Sequence, residues 1–209
     1  TNTRRYTLSL HDALPILQDD YKRIIAYLAV GELGYIGVGL GLGTPYSITA
    51  GLFQAVNELV VTSFLFVGFG LVLYKTRTSK ISKLGGLLEH MPVAALLIVL
   101  AGFIMAGVPP FNVFQSKYML CQAALSAGIP ELAIIMIILS IVTFLAFLKI
   151  TYAMFLRPKP DDLEVSSAKV PKTTMAIMVF FLIICLIIGL CPDLVVNRLG
   201  VMAFSALIM

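Results

Sequence analysis

The chain has 209 residues, of which 59% are hydrophobic and only 12% charged, with a mean hydropathy of +0.98. A soluble domain is about 45–50% apolar and about 25% charged, so these side chains cannot cover a soluble surface, and a soluble enzyme, a disordered tail and a nucleic-acid binder are excluded. The formal net charge of +4 is small and scattered, unlike a phosphate-binding patch, which leaves a protein embedded in a lipid bilayer.

The first residues stand apart from the rest. Tyr6–Ile16, YTLSLHDALPI, matches the in-frame translation of a common DNA-sequencing adapter at all eleven codons. Residues 1–16 are therefore expected to be a foreign or disordered leader, with the membrane domain over 17–209 and natural sequence extending beyond both ends. Arg4, Arg5, His11 and Asp12 then carry no role. The leader does not read as a signal peptide, because His11 and Asp12 interrupt its only apolar stretch.

A membrane-crossing helix needs about 20 mainly apolar residues, and six segments reach or approach that length. The first runs from Arg23 to Leu42 and closes at the turn signal Gly43-Thr44-Pro45. The second runs from Ser47 to Tyr74 and is followed by Lys75, Arg77, Lys80 and Lys83. The third, Met91 to Gly107, is broken by Pro109-Pro110, since proline cannot donate the helical hydrogen bond. The fourth is Phe111 to Ala127, ending at Gly128-Ile129-Pro130. The fifth is Glu131 to Leu156; a polar loop, Arg157–Lys172, leads to the sixth, Thr173 to Val196. These runs are continuously apolar, which predicts an all-α polytopic transmembrane bundle and not a β-barrel. Gly34, Gly37, Gly39, Gly41 and Gly43 give the first span a small-residue stripe suited to close helix contact. Alternating across six spans would place Lys22, Arg23, Lys75, Arg77, Lys80, Lys83 and Arg198 on one face, and Arg157, Lys159, Lys169 and Lys172 on the other.

Charges inside the spans mark function by default, because each costs roughly 2.5–3.5 kcal/mol at the bilayer centre on insertion scales. Glu32 lies nine residues after Arg23, about 13 Å along a helix and near the middle of a core about 30 Å thick. Glu58, eleven residues after Ser47, reaches a similar depth, with Asn57 before it and Thr62 and Ser63 about one turn on. Lys117 follows the double proline within the polar patch Asn112, Gln115, Ser116, Lys117; such patches occur where an interrupted helix lines a cavity. Lys149, late in the fifth span, is a weaker candidate, since a long lysine stem can snorkel to the interface. His90 falls in a polar loop. A buried carboxyl and a buried amine both move toward neutrality, so a neighbouring pair can exchange a proton at ordinary pH. That is the chemistry of a relay, against which stands a static ion pair holding two helices together.

No cofactor is expected. Cys121, Cys185 and Cys191 form no C-x-x-C pair, which gives neither a disulfide framework nor a metal or iron–sulfur site, and paired intramembrane histidines for haem are missing.

Three blocks carry a family resemblance. Leu17–Gly41, LQDDYKRIIAYLAVGELGYIGVGLG, resembles the Q-x-D-[LI]-K-R-[LI]-[LI]-A-Y signature of antiporter-like membrane subunits. Gly51–Gly70, GLFQAVNELVVTSFLFVGFG, is similar to their L-[YF]-H-x-x-N-H-A-x-x-K block, and Met91–Leu120 resembles their P-P-[LF]-x-G-F-x-S-K block. Such subunits occur in respiratory complex I, energy-converting hydrogenases and multisubunit cation/proton antiporters. The resemblance implies a second inverted repeat plus a closing helix, with one discontinuous helix. It further implies transport of protons, or of sodium in some members, through buried lysine, glutamate and histidine. The partners implied are other membrane subunits of a redox-driven complex in a prokaryotic, archaeal cell membrane, and this chain would hold no redox chemistry of its own. Lys117 falls on the family's charged position in the discontinuous helix. Glu58 stands where histidine is expected, Thr62 where a buried lysine is expected, and Glu32 where glutamine or histidine is common. Either the relay is rewired, with Glu58 and Glu32 carrying protons toward Lys117, or the subunit is a non-conducting scaffold; a stand-alone antiporter is a third reading.

Overall fold

A computed structural model describes residues 18–166 and 169–208, with side chains through Val201. The expected leader, residues 1–16, lies outside the described residues. The chain is an all-α bundle of α1 (Tyr21–Gly41), α2 (Pro45–Thr76), α3 (Pro92–Ala106), α4 (Asn112–Ser126), α5 (Pro130–Thr151), α6 (Lys172–Leu190) and α7 (Asp193–Ile208). Among the described residues, four stretches are long and apolar enough to cross a membrane: Tyr21–Gly41, Pro45–Thr76, Pro130–Leu156 and Lys172–Leu190. The protein is a multi-pass membrane protein.

The helix ends follow local chemistry. Asp20 caps α1 by accepting from the Lys22 amide at 2.9 Å. Thr44 and Ser47 form a reciprocal capping box at the start of α2, with Pro45 in its first turn. Pro92 and Pro130 open α3 and α5 in the same way. Gly107 closes α3 at φ +86°, a backbone state that needs glycine. Tyr152–Leu156 continues α5 as a π-helical turn. The sixth apolar segment stops earlier than expected, at Leu190, where Cys191-Pro192 breaks it before α7.

The third and fourth apolar segments are the two halves of one crossing. Each of α3 and α4 has 15 residues, about 22 Å of helix, which is too short for a core of about 30 Å. The loops settle the path. The segment after α2 docks on the start of α1: the Tyr21 amide donates to the Ser79 carbonyl at 3.2 Å and the Ile81 amide to the Asp19 carbonyl at 2.6 Å. The end of α5 returns to that same loop, where the Arg157 guanidinium donates to the Ser82 and Leu84 carbonyls at 2.5 and 2.7 Å. Gly86 donates its amide to the Arg157 carbonyl at 2.7 Å. Since α3 leaves this face and α5 comes back to it, α3 and α4 together cross once. The alternation expected for the basic loops is therefore wrong: Arg157 and Lys159 lie on the face of Lys80 and Lys83, because the third and fourth apolar segments are half-helices that make one crossing.

The core joins Tyr21, Ile24 and Leu28 of α1 to Phe64, Leu65 and Phe69 of α2, Ile98 and Ile104 of α3, and Phe147 and Ile150 of α5. The glycine stripe has a narrower role than expected. A Cβ on Gly39 would fall 2.5 Å from the Gly51 Cα, so α1 and α2 touch backbone to backbone there, whereas Gly34, Gly37 and Gly41 face open space.

Candidate functional site

The break between α3 and α4 gathers most of the buried polar groups around one lysine. Lys117 sits in the second turn of α4, and its ammonium donates to Glu32 Oε1 of α1 at 2.8 Å and to the Met105 carbonyl at 3.1 Å. Glu32 is 1% exposed and Lys117 6%, so the pair is shielded from solvent. Met105 belongs to the last turn of α3, whose carbonyls have no helical partner and favour a cation. Gly107 leaves room for the lysine stem: a Cβ there would lie 3.2 Å from Lys117 Cδ. The interruption therefore supplies a carbonyl, the negative end of a helix and the space for the side chain to reach both.

A chain of neutral groups extends from this pair. Gln54 Nε2 donates to Glu32 Oε2 at 2.9 Å. Ser116 Oγ donates to Gln54 Oε1 at 2.6 Å and accepts from Asn57 Nδ2 at 3.0 Å. Asn57 and Asn112 then bridge α2 to the first residue of α4, with Asn57 Nδ2 donating to the Asn112 carbonyl at 3.1 Å and Asn112 Nδ2 donating to Asn57 Oδ1 at 3.0 Å. Gln54, Asn57, Ser116 and Asn112 are fully buried. Each of these bonds exchanges a costly unpaired polar group for a satisfied one, and together they hold the broken segment against α2.

Glu58 lies beside this network without joining it. It is 7% exposed, and its Oε1 accepts from Thr62 Oγ1 at 2.6 Å. Its Oε2 is buried with no donor among the described residues, as is Asn112 Oδ1. Glu58 is thus not in a static ion pair, and it does not touch Lys117. On α2 it stands four residues after Gln54 and four before Thr62, so a rotation of its side chain along the helix face separates the two neighbourhoods.

The expected site residues fall into three groups. Lys117 and Glu32 form a direct pair. Glu58 is adjacent but turned to Thr62. Lys149 lies elsewhere: its ammonium donates to the Gln18 carbonyl at 3.1 Å, at the face where α1 begins. Of the polar patch, Gln115 points away and donates to the Gly189 carbonyl of α6 at 3.3 Å. His90 ends a one-turn helix, Leu87–His90, and contacts the Gly86 carbonyl at 3.2 Å. Gln54 and Tyr35 are additions to the expected set. Gln54 shares the helical face of Asn57 and Glu58, and Tyr35 follows Glu32 by three residues, so helical spacing from the acids is the signal that points to both.

The family described as NADH:quinone oxidoreductase/Mrp antiporter, TM, matches residues 7–145. The chain belongs to this antiporter-like family. An uncharacterised protein of Methanocaldococcus jannaschii is 45% identical over 188 residues, which cover 89% of this chain and 39% of that protein. A chain of the Mrp complex from Dietzia sp. superposes with a TM-score of 0.84 at 24% identity, covering 94% of this chain and 45% of that one. A chain of an archaeal respiratory membrane complex, the membrane-bound sulfane sulfur reductase, superposes with a TM-score of 0.81 at 28% identity, covering 91% and 31%. The chain spans less than half the length of these antiporter-like relatives.

Proposed function

We propose that this chain is the proton-moving part of a membrane subunit in a redox-driven complex, in which Lys117, Glu32 and Glu58 carry the charge. Sodium is the alternative cargo. The observation that carries the reading is the Lys117–Glu32 pair at 2.8 Å, buried at the break of a discontinuous crossing. A structural strut has no need of ionisable groups there, since a buried ion pair adds little net stability over apolar residues of similar volume. A relay needs both an acid and a base at one depth. The likeness to a chain of an archaeal respiratory membrane complex supports membrane subunits as partners, and the archaeal relative supports an archaeal cell membrane. The spans are solvated by lipid, and no nucleic acid is involved.

In the intact complex, Lys117→Ala abolishes ion translocation, measured as a pH or membrane-potential change in sealed vesicles, while part of the electron transfer persists. Undiminished translocation would leave the non-conducting scaffold as the answer.

A further inference from the structure

We infer that Tyr35 is a positioning residue for Lys117, its ring face forming the platform on which the ammonium rests when it leaves Glu32. The inference rests on the proposed relay. Lys117 Nζ lies 4.6 Å from the centroid of the Tyr35 ring, so the ammonium has a carboxylate, a helix-end carbonyl and an aromatic face around it. All three attract a cation, and the aromatic term strengthens when water is excluded.

Tyr35 is held at both ends. Its backbone belongs to α1, one turn after Glu32, and its hydroxyl donates to the Met136 carbonyl of α5 at 2.6 Å, with Ser140 Oγ at 3.0 Å. The ring is 3% exposed. It cannot turn away from the lysine without breaking the tie to α5.

The ring is also a wall. An open groove of about 500 Å³ is lined by Lys117, Tyr35, Phe114, Ser140 and Phe144 together with the half-exposed Tyr118. A relay requires Lys117 to part from Glu32, because a permanent pair passes nothing on. The groove is open beside the lysine stem, so a Lys117 that parts from Glu32 has space on this side. Its walls are mainly apolar, so an ammonium entering it loses its carboxylate and gains no other in exchange. The Tyr35 face borders both positions and accompanies the charge between them.

The test uses the intact complex in sealed vesicles with phenylalanine at position 35, then mono-, di- and trifluorophenylalanine in its place. Fluorination weakens the negative ring face at nearly constant shape, which a packing role does not register. Tyr35→Phe loses the tie to α5 and serves as the reference of the series, from which translocation is expected to fall stepwise to about tenfold lower at three fluorines. Tyr35→Leu is expected to match the lowest member, with the complex still assembled. A flat series overturns the inference. So does a Tyr35→Phe loss reproduced by Ser140→Ala, which would assign the effect to the hydroxyl tie. Should Tyr35→Phe fail to accumulate, fluorotyrosines keep the hydroxyl and read the same trend. If Lys117→Ala itself translocates normally, the relay reading fails; a flat series beside an inactive Lys117→Ala removes only the role of Tyr35.

Discussion

At the scale of single residues, the Lys117–Glu32 pair separates stability from function. Removing one partner strands a buried charge, at a cost of about 3–5 kcal/mol, whereas replacing both with neutral groups of similar volume is close to neutral. Lys117→Met alone should therefore lower the melting temperature in detergent. Lys117→Met combined with Glu32→Gln should recover most of it, because glutamine can still meet the Gln54 amide, and translocation should remain lost. Recovery of translocation in the double variant would show that neither group carries charge. Glu58 gives a second test. Thr62 supplies its one hydrogen bond, so Thr62→Val leaves both carboxyl oxygens without a donor and should cost about 1–3 kcal/mol, while Thr62→Ser should be nearly neutral. Glu58→Gln should depress translocation if Glu58 titrates. If only Glu58→Ala does so, its role is to accept a hydrogen bond. Depth along a helix is readable from the sequence, and Glu32, Glu58 and Lys117 are all buried as that depth predicts. Azimuth between helices is not readable, and so the spacing could not tell that Lys117 faces Glu32 while Glu58 turns to Thr62. Gln54 is neutral and so carries no charge signal in the sequence, although it bridges Glu32 to Ser116.

At the scale of helices, the sequence carried the breaks more faithfully than the contacts. Proline and glycine state a local backbone requirement, so the ends at Gly107, Gly128 and Pro130 were legible. A stripe of small residues states only that close approach is possible. Five glycines in and after α1 suggested one continuous contact, yet the geometry uses Gly39 alone, against Gly51 of α2. That crossing brings Glu32 of α1 within reach of Gln54 on α2, because the contact at Gly51 lies one turn away from Gln54. Gly39→Ala must push two backbones apart and should destabilise the bundle by about 1–3 kcal/mol. Gly37→Ala meets nothing within 4 Å and should be neutral or slightly stabilising, since alanine is the better helix former. Thermal unfolding in detergent compares the two directly, and equal effects would show that the Gly39 contact is not limiting. The same measurement on Gly107→Ala should show a loss as well, from the positive φ and from crowding of the Lys117 stem.

The whole molecule has a polarity that single segments conceal. Once α3 and α4 count as one crossing, Lys22, Arg23, Lys75, Arg77, Lys80, Lys83, Arg157, Lys159, Lys169 and Lys172 all fall at one end of the bundle. The interlocked loops fix that end, through Arg157 on the Ser82 and Leu84 carbonyls and Lys75 on the Ser166 carbonyl at 2.8 Å. The other end has Arg198, on the helix whose Gly200 lies against Thr49 near the start of α2. Short loops rich in lysine and arginine stay in the cytoplasm during insertion, and acidic residues among them change this little. The positive-inside rule therefore predicts that the crowded end faces the cytoplasm, with Gly43–Thr44 and Ser126 on the opposite side. In a background lacking Cys121, Cys185 and Cys191, Lys83→Cys should react with a membrane-impermeant thiol reagent only after the cells are opened. Ser126→Cys, exposed at the end of α4, should react in intact cells. The reverse pattern would invert the assignment and with it the direction of the proposed relay. The expected pattern places the cytoplasmic surface at the start of α1; on the proposed relay, a proton arriving at Glu32 from that side neutralises its carboxylate and frees the Lys117 ammonium that it holds.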